Sequence, residues 1–256
     1  MRVSIVTACY NPGEELLPTL RSIFEQSYAD LEVIVVDGGS TDGTPEILAG
    51  LQHPRLRYRS APDRGVYDAM NAGVALATGE YVNFMNVGDR FAGPSVVADL
   101  FAAGVEADYL YGDVVALYGE RRQRQPAKPL TTLWRNKNFN HQALFARRAW
   151  LRRHPFDLSY RIVADYEQAL FAYRAGASFA HRPVVVAEVD MATGLSKQNL
   201  WYNYREKARV NLRYATRPVL TRAYLLGNAL QFGTIMLARR LGVLDRVVTL
   251  KKKLLG

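Results

Sequence analysis

The sequence has a single cysteine, Cys9, and this scarcity excludes whole classes of protein. One thiol cannot form an internal disulfide, and it cannot build a zinc ribbon. We interpret Cys9, which follows an apolar strand pattern, as a small buried residue rather than a nucleophile. Two nucleotide-binding signatures are also missing, because no G-x-G-x-x-G motif follows a strand and no P-loop is present.

Long apolar segments are scarce too. The first residues, MRVSIVTACY, have the pattern of a strand and lack an apolar region long enough for a signal sequence, so we expect a cytoplasmic protein. The most apolar later segment, residues 219–238, is interrupted by Arg222, Asn228 and Gln231. This pattern argues against a membrane-spanning helix and favours a helix that lies at an interface.

Acidic residues are scarce in residues 201–256, which hold twelve Lys and Arg against two acidic residues. The preceding 200 residues hold 21 basic and 22 acidic residues, so the net charge of +9 comes from the C-terminal segment. We predict a main domain at 1–200 and a basic amphipathic helical tail at 201–256. Such a tail indicates an anionic partner, either a phospholipid surface or a nucleic acid. Its interleaved leucines favour an anionic membrane surface, and contact with a second copy in a homodimer is the structural alternative.

Residues 1–90 alternate between strand and helix patterns. Nearly continuous apolar runs, typical of buried parallel strands, are separated by segments with helical spacing. This order predicts an α/β fold with a doubly wound, mostly parallel sheet. Residues 91–200 predict a mixed second half, with a hairpin or two strands of mixed sheet over 108–125, a strand over 140–145, a helix within 161–175 and a strand over 179–189.

The stretch EYVNFMNVGD, residues 80–89, is the feature around which the chain is organised. It is a short apolar strand that ends on Gly88 and Asp89. Ligands of parallel α/β sheets bind at the carboxyl ends of the strands, where Asp89 is expected. A carboxylate there can hold a divalent cation and, through it, a diphosphate. A plain turn after the strand is the alternative.

Further polar clusters are expected at the same edge of the sheet, and each has a structural explanation. Asp37 can cap its own turn, and the carboxylate of Asp165 can stabilise a helix N-terminus. Arg64 and Asp68 can form a surface ion pair beside Asn71. A histidine on an apolar strand, such as His141, is more often part of the core than a ligand.

The clusters are ambiguous one by one, but their combination and their order along the chain are specific. The sequence resembles the family 2 glycosyltransferases, which have a GT-A fold, over about residues 1–200. The resemblance is carried by SIVTACYNPGEELLPTLRSIFEQSY, LEVIVVDGGSTDGT, DRGVYDAMNAGVALATGEYVNFMNVGD, NHQALF and ADYE. The first part of the third segment, DRGVYDAMNAG, together with NHQ and ADYE, is similar to the branch that builds bacterial exopolysaccharides, O-antigens and related glycolipids.

The resemblance implies a role for each cluster. Residues 1–90 would bind the nucleotide-sugar and residues 91–200 the acceptor. Asp165 would be the catalytic base with Glu167 as its substitute, Asp89 would bind Mg²⁺ or Mn²⁺, and His141 would contact the acceptor or the diphosphate. The donor would be bound by Thr7, Ala8, Tyr10, Asp37, Arg64, Asp68, Asn71 and Gly88. The sequence departs from the family's D-x-D motif, since only Asp89 remains acidic, so we expect a weakly held metal.

The implied function is an inverting, hexosyltransferase-type enzyme. It would move a sugar from a nucleotide-sugar, with UDP as the default nucleotide and dTDP or GDP open, to a hydroxyl of a glycan or lipid-linked acceptor. The tail would place it on the inner face of the cell membrane. The alternatives are a sugar nucleotidyltransferase, a sugar-nucleotide-binding protein without transferase activity, and a nucleic-acid-binding protein that uses the tail. The expected G-x-G-T-R-like loop of the nucleotidyltransferases is missing from TACYNPGE.

Overall fold

A computed structural model of the chain describes residues 1–135, 137–191 and 199–240. The contacts divide the chain into two compact units, Met1–Lys207 and a second unit that begins at Ala208. The boundary falls inside a helix, seven residues after the one predicted from charge. The role of residues 201–256 as a separate module stays a prediction.

The described part of the first unit is built on a mixed sheet with the strand order β3-β2-β1-β4-β8-β6-β9-β5, and β7 pairs with β6. The strands are β1 (Val3–Cys9), β2 (Leu31–Asp37), β3 (Leu56–Ser60), β4 (Tyr81–Phe84), β5 (Arg90–Phe91), β6 (Tyr109–Tyr118), β7 (Arg121–Gln125), β8 (Leu144–Arg147) and β9 (Phe179–Asp190).

The described residues also form eight helices, and the last of these belongs to the second unit. They are α1 (Leu16–Phe24), α2 (Thr44–Gly50), α3 (Val66–Leu76), α4 (Val96–Phe101), α5 (Arg148–Arg153), α6 (Ala164–Arg174), α7 (Leu200–Arg213) and α8 (Pro218–Arg240). Three single 3₁₀ turns span Gly13–Glu15, Leu130–Thr132 and His141–Ala143. None of the described helices is long and apolar enough to cross a bilayer.

The N-terminal half of the sheet is parallel, as predicted. Strand β1 is buried along its whole length and pairs with both β2 and β4, so that Val6 lies between Ile34 and Phe84. Helix α3 packs closely on β1 at Gly73, where a Cβ would lie 2.3 Å from a methyl carbon of Val6. The carboxyl ends of β1, β2 and β4 therefore meet at one edge of the sheet.

The second half of the sheet is mixed. Strand β8 runs antiparallel to both β4 and β6, and β6 runs parallel to β9. An aromatic core fills this half, because Phe101 packs edge-on against the rings of both Tyr81 and Phe145. The last residue of β9, Asp190, lies at the edge of the sheet where β4 ends. The backbone N–H of Asp190 donates a hydrogen bond to the carboxylate of Asp89 there.

Two local predictions are corrected. Residues 140–145 were expected to be one strand, but His141–Ala143 form a 3₁₀ turn and only Leu144–Arg147 are extended. His141 is therefore not a core residue of a strand. Helix α5 was not predicted, because in six residues only Leu151 is buried and no periodicity can be read. Residues 241–256 of the predicted helical tail lie outside the described residues.

Candidate active site

Hydrogen bonds hold the carboxyl ends of β1 and β2 in place beneath the site. Asp37 is fully buried at the end of β2, and its carboxylate accepts hydrogen bonds from the backbone N–H of Ser40 and from the hydroxyl of Ser60 at 2.6 Å. The Thr7 hydroxyl donates to the carbonyl of Met85 at 2.8 Å. These bonds fix the loops relative to each other. Tyr10, by contrast, is exposed.

The loop after β4 places Asp89 rigidly. Gly88 has a φ of 91°, a conformation that favours glycine, and its N–H donates to the Thr19 hydroxyl oxygen, while that hydroxyl donates to the carbonyl of Asp89. The Asp89 carboxylate accepts hydrogen bonds from Gln142 Nε2 at 2.6 Å and from the backbone N–H of Asp190 at 3.1 Å. Burial raises the pKa of Asp89, and the hydrogen bond from Gln142 opposes this shift.

Asp165 lies in the first turn of α6, with its side chain 8% exposed. Lys137 forms an ion pair with its Oδ2 atom, and His141 Nδ1 lies 3.1 Å from the same atom. The hydroxyl of Tyr67 lies 3.2 Å from Oδ1. Burial alone would raise the pKa of Asp165, but the charges of Lys137 and His141 outweigh burial and hold this pKa well below its usual range.

These groups share one cavity of about 400 Å³, which takes lining residues from both halves of the sheet. Asp89 and Asp165 both line it. His141 connects the two sides, because its Nε2 atom lies 3.4 Å from Asn86 Nδ2 in the Asp89 loop and its Nδ1 atom faces Asp165. Asn86 also accepts a hydrogen bond from the backbone N–H of Ala8 at 3.3 Å. Gly88, Asp89, His141 and Asp165 are thus brought together as predicted residues of one site.

The other eight predicted residues do not line this cavity, and Thr7, Ala8, Tyr10 and Asp37 are four of them. Arg64 and Asp68 form an exposed bidentate ion pair at the start of α3, where they line a neighbouring cavity. The Asn71 amide bonds to the backbone N–H and carbonyl of Phe156, both at 2.9 Å. Glu167 is fully buried, and His154 Nε2 lies 3.0 Å from its carboxylate. Asn71 and Glu167 therefore hold neighbouring segments together, and their predicted roles in the site stay predictions.

The structure adds residues that the sequence did not single out. Gln142 lies next to His141 in the motif NHQ, and this position was a signal that it could belong to the site. Asp190 ends a strand, as Asp37 does, and this position is a usable signal. Lys137 lies in a polar segment, and no local pattern distinguishes it from its neighbours. Among the described residues, no group of three or more His, Cys, Asp or Glu side chains is arranged to hold a metal.

Comparison with known proteins identifies the family. Residues 4–159 match the profile of Glycosyl transferase family 2. The chain is also 33% identical over 226 residues to a PGL/p-HBAD biosynthesis glycosyltransferase of Mycobacterium tuberculosis, covering 85% of this chain and 88% of that protein. The chain belongs to glycosyltransferase family 2. It is therefore a transferase with a sugar-transfer function, as predicted.

Solved structures confirm the predicted GT-A type of α/β fold. S. aureus TarS 1-349 in complex with UDP-GlcNAc superposes with a TM-score of 0.66 at 18% identity, over 86% of this chain and 69% of that one. Mannosyltransferase PcManGT from Pyrobaculum calidifontis, in complex with GDP-Man and Mn²⁺, gives 0.65 at 21% identity, over 98% and 79%. The full TarS chain is much longer, and this chain covers 41% of it.

Proposed function

We propose that this family 2 glycosyltransferase transfers a sugar from a nucleoside-diphosphate donor to an acceptor hydroxyl with inversion at the sugar carbon. The observation that carries the proposal is the shared cavity, into which the loop after β4 brings Asp89 and the start of α6 brings Asp165. A single displacement needs charge stabilisation at the leaving diphosphate and a base at the attacking hydroxyl. Two carboxylates in contrasting surroundings fit these two tasks.

Asp89 is the residue that would hold a divalent cation, Mg²⁺ or Mn²⁺. Its carboxylate uses one hydrogen bond on each oxygen, which leaves further lone pairs for a metal. Asp190 lines the same cavity and brings a second carboxylate to this edge of the sheet. Oxygen donors of this kind suit a hard cation that completes its shell with phosphates and waters. When bound, the cation would neutralise charge on the departing diphosphate.

Asp165 is our candidate base. His141 and Tyr67 orient its carboxylate, and the motif ADYE places it at a helix start whose partial positive charge favours the ionised form. We place the nucleotide at the carboxyl ends of β1 and β2, near Ala8, Tyr10 and Asp37, with the Arg64–Asp68 pair beside the ribose and diphosphate. The named relatives support a nucleotide-sugar donor, since TarS 1-349 was crystallised with UDP-GlcNAc and the mannosyltransferase with GDP-Man.

The acceptor is proposed to be a glycan or a lipid-linked sugar of the cell surface. The mycobacterial relative is named for PGL/p-HBAD biosynthesis, which supports the glycolipid part of this proposal. Helix α8 supports the proposal that the protein binds a lipid surface. Val219, Leu226 and Leu230 are exposed on one face of this helix, which also carries arginines. Binding to the inner face of the membrane through this helix would bring the enzyme to such an acceptor.

A thermal-shift screen of UDP-, GDP- and dTDP-sugars, each with and without Mn²⁺, tests the proposal. We expect one nucleotide class to raise the melting temperature, and to do so more strongly with Mn²⁺. The donors that bind are then offered to lipid and glycan acceptors, and transfer is measured by mass spectrometry. Absence of any nucleotide-dependent shift would refute a donor site, and binding without transfer to any acceptor would support the catalytically silent alternative.

A further inference from the structure

We propose that Lys137 changes partners during the reaction: in the free protein it pairs with Asp165, and in the donor complex it binds the diphosphate, which frees Asp165 to accept the proton of the acceptor. This inference rests on the proposed function and assigns a role to a residue that the family motifs do not include. It makes Lys137 a positioning residue for Asp165 and a ligand of the donor.

The geometry places Lys137 between two groups of the site. Its Nζ atom bonds to Asp165 Oδ2 and lies 3.4 Å from His141 Nδ1. The Lys137 side chain is 24% exposed, whereas that of Asp165 is 8% exposed. Lys137 also lines the cavity that contains Asp89. A lysine ammonium is a point charge on a flexible stem, and it can exchange one oxygen partner for another without a change of backbone.

In the free protein, the ion pair between Lys137 and Asp165 makes Asp165 a poorer general base. The charged and titratable groups that face Asp165 are Tyr67 from α3, Lys137 and His141 from the segment before β8, and Lys207 from α7. Burial would raise the pKa of Asp165, but the charge of Lys137 and the contact with His141 hold this pKa far below the range in which a general base is effective. Removing Lys137 from this set raises that pKa. The pairing therefore suits a resting state and not the transfer step.

A diphosphate is the anion that can draw Lys137 away. It carries more negative charge than a single carboxylate, and a cation at Asp89 would anchor it in the same cavity. Lys207 adds positive charge near Lys137, and its own pKa is lowered by burial and by the repulsion from Lys137. An incoming anion relieves this repulsion, whereas the Asp165 carboxylate keeps its contact with His141 Nδ1 and its hydrogen bond from the backbone N–H of Tyr166.

A double-mutant cycle on nucleotide binding tests the exchange. The affinity for UDP with Mn²⁺ is measured by calorimetry for the wild type, Asp165→Asn, Lys137→Met and the double variant, with GDP or dTDP instead if the screen selects them. We expect Asp165→Asn to tighten binding about three- to tenfold, because Lys137 no longer has to leave a partner. Lys137→Met should weaken binding about tenfold, and in this background Asp165→Asn should bring no gain. Independent, additive effects would overturn the proposal.

Two further measurements separate an exchange from a purely structural role. The acid limb of kcat/KM should move to higher pH in Lys137→Met, since Asp165 without its cation is protonated more easily, and Lys137→Arg should restore it in part. An unmoved acid limb would count against the proposal. Lys128→Met removes the same charge from the same segment without contacting Asp165, and it should leave the limb in place. If the wild type bound no nucleoside diphosphate, both proposals would fall; binding and transfer without coupling would overturn only this one.

Discussion

Asp165 is the side chain on which the proposed chemistry depends most directly. Asp165→Asn keeps the size of the side chain but removes the proton acceptor and the charge that pairs with Lys137. We expect the turnover number to fall by about 10²- to 10⁴-fold, the usual contribution of a general base. Donor binding should be no weaker than in the wild type. Single-turnover transfer and calorimetry on the same preparation measure the two effects separately.

Glu167 supplies the matched control, because it is the other carboxylate of the motif ADYE. Its carboxylate is buried against His154, away from the cavity. Glu167→Gln should therefore lower the stability while leaving the chemical step of the folded enzyme within a few-fold of the wild type. If instead Glu167→Gln abolished transfer and Asp165→Asn did not, the assignment of the base would be reversed.

Cys9 gives a prediction about reactivity. Burial, followed by the charges of Asp37 and Asp42, raises the pKa of its thiol to about 12. A thiol is far less nucleophilic than its thiolate, so Cys9 should remain protonated and inert at neutral pH. We expect Ellman's reagent to react with the single thiol in guanidinium chloride and to leave it almost unlabelled in the native protein. Rapid labelling of the native protein would show that the β1 end opens more readily than its hydrogen bonds indicate.

Helix α7 lies far along the chain from the residues of the site, and it contributes to the site through the side chain of Glu206. The Glu206 carboxylate, buried in the first unit, accepts hydrogen bonds from three consecutive backbone N–H groups, those of Arg161, Ile162 and Val163, at 2.7, 2.9 and 3.3 Å. These residues lead into α6. Glu206 therefore fixes the segment that positions Asp165 at the start of α6.

Removal of this carboxylate should affect stability and catalysis together. Glu206→Ala leaves buried N–H groups without an acceptor, at a cost of about 1–3 kcal/mol. We expect a lower midpoint of urea unfolding and a lower kcat, because Asp165 loses its fixed position. Glu206→Gln keeps one acceptor oxygen and should lie between Glu206→Ala and the wild type. Arg205→Ala, an exposed neighbour on the same helix, is the control, and an equal loss in that variant would argue against a positioning role.

Sequence patterns predicted the elements better than the contacts between them. Continuous apolar runs identified β1, β2 and β4, and the rule for carboxyl ends of parallel strands placed Asp37 and Asp89 at one edge. The partners of Asn71 and Glu167 could not be predicted, because Phe156 and His154 belong to a segment without periodicity. Lys137 was missed for the same reason.

The charge of the chain is distributed unevenly along its length. The residues before 201 are close to neutral, whereas the last segment carries an excess of ten positive charges. Within the described part of α8, Val219, Ala223, Leu226 and Leu230 share one exposed face at steps of four, three and four residues. A helix with a solvent-facing apolar stripe in a basic segment is typical of proteins that lie on anionic membranes.

We therefore expect the full chain to float with vesicles that contain phosphatidylserine and to remain behind with pure phosphatidylcholine. Leu226→Glu places a charge in the centre of the stripe and opposes both apolar burial and attraction to the anionic lipid, so it should reduce flotation about tenfold. Leu212→Glu makes the same change at an exposed leucine of α7, outside the stripe, and should float like the wild type. Added salt should weaken binding, since screening shortens the reach of the basic residues. Equal flotation of both variants would instead indicate that the stripe serves contact with a second copy, which light scattering would show as a dimer.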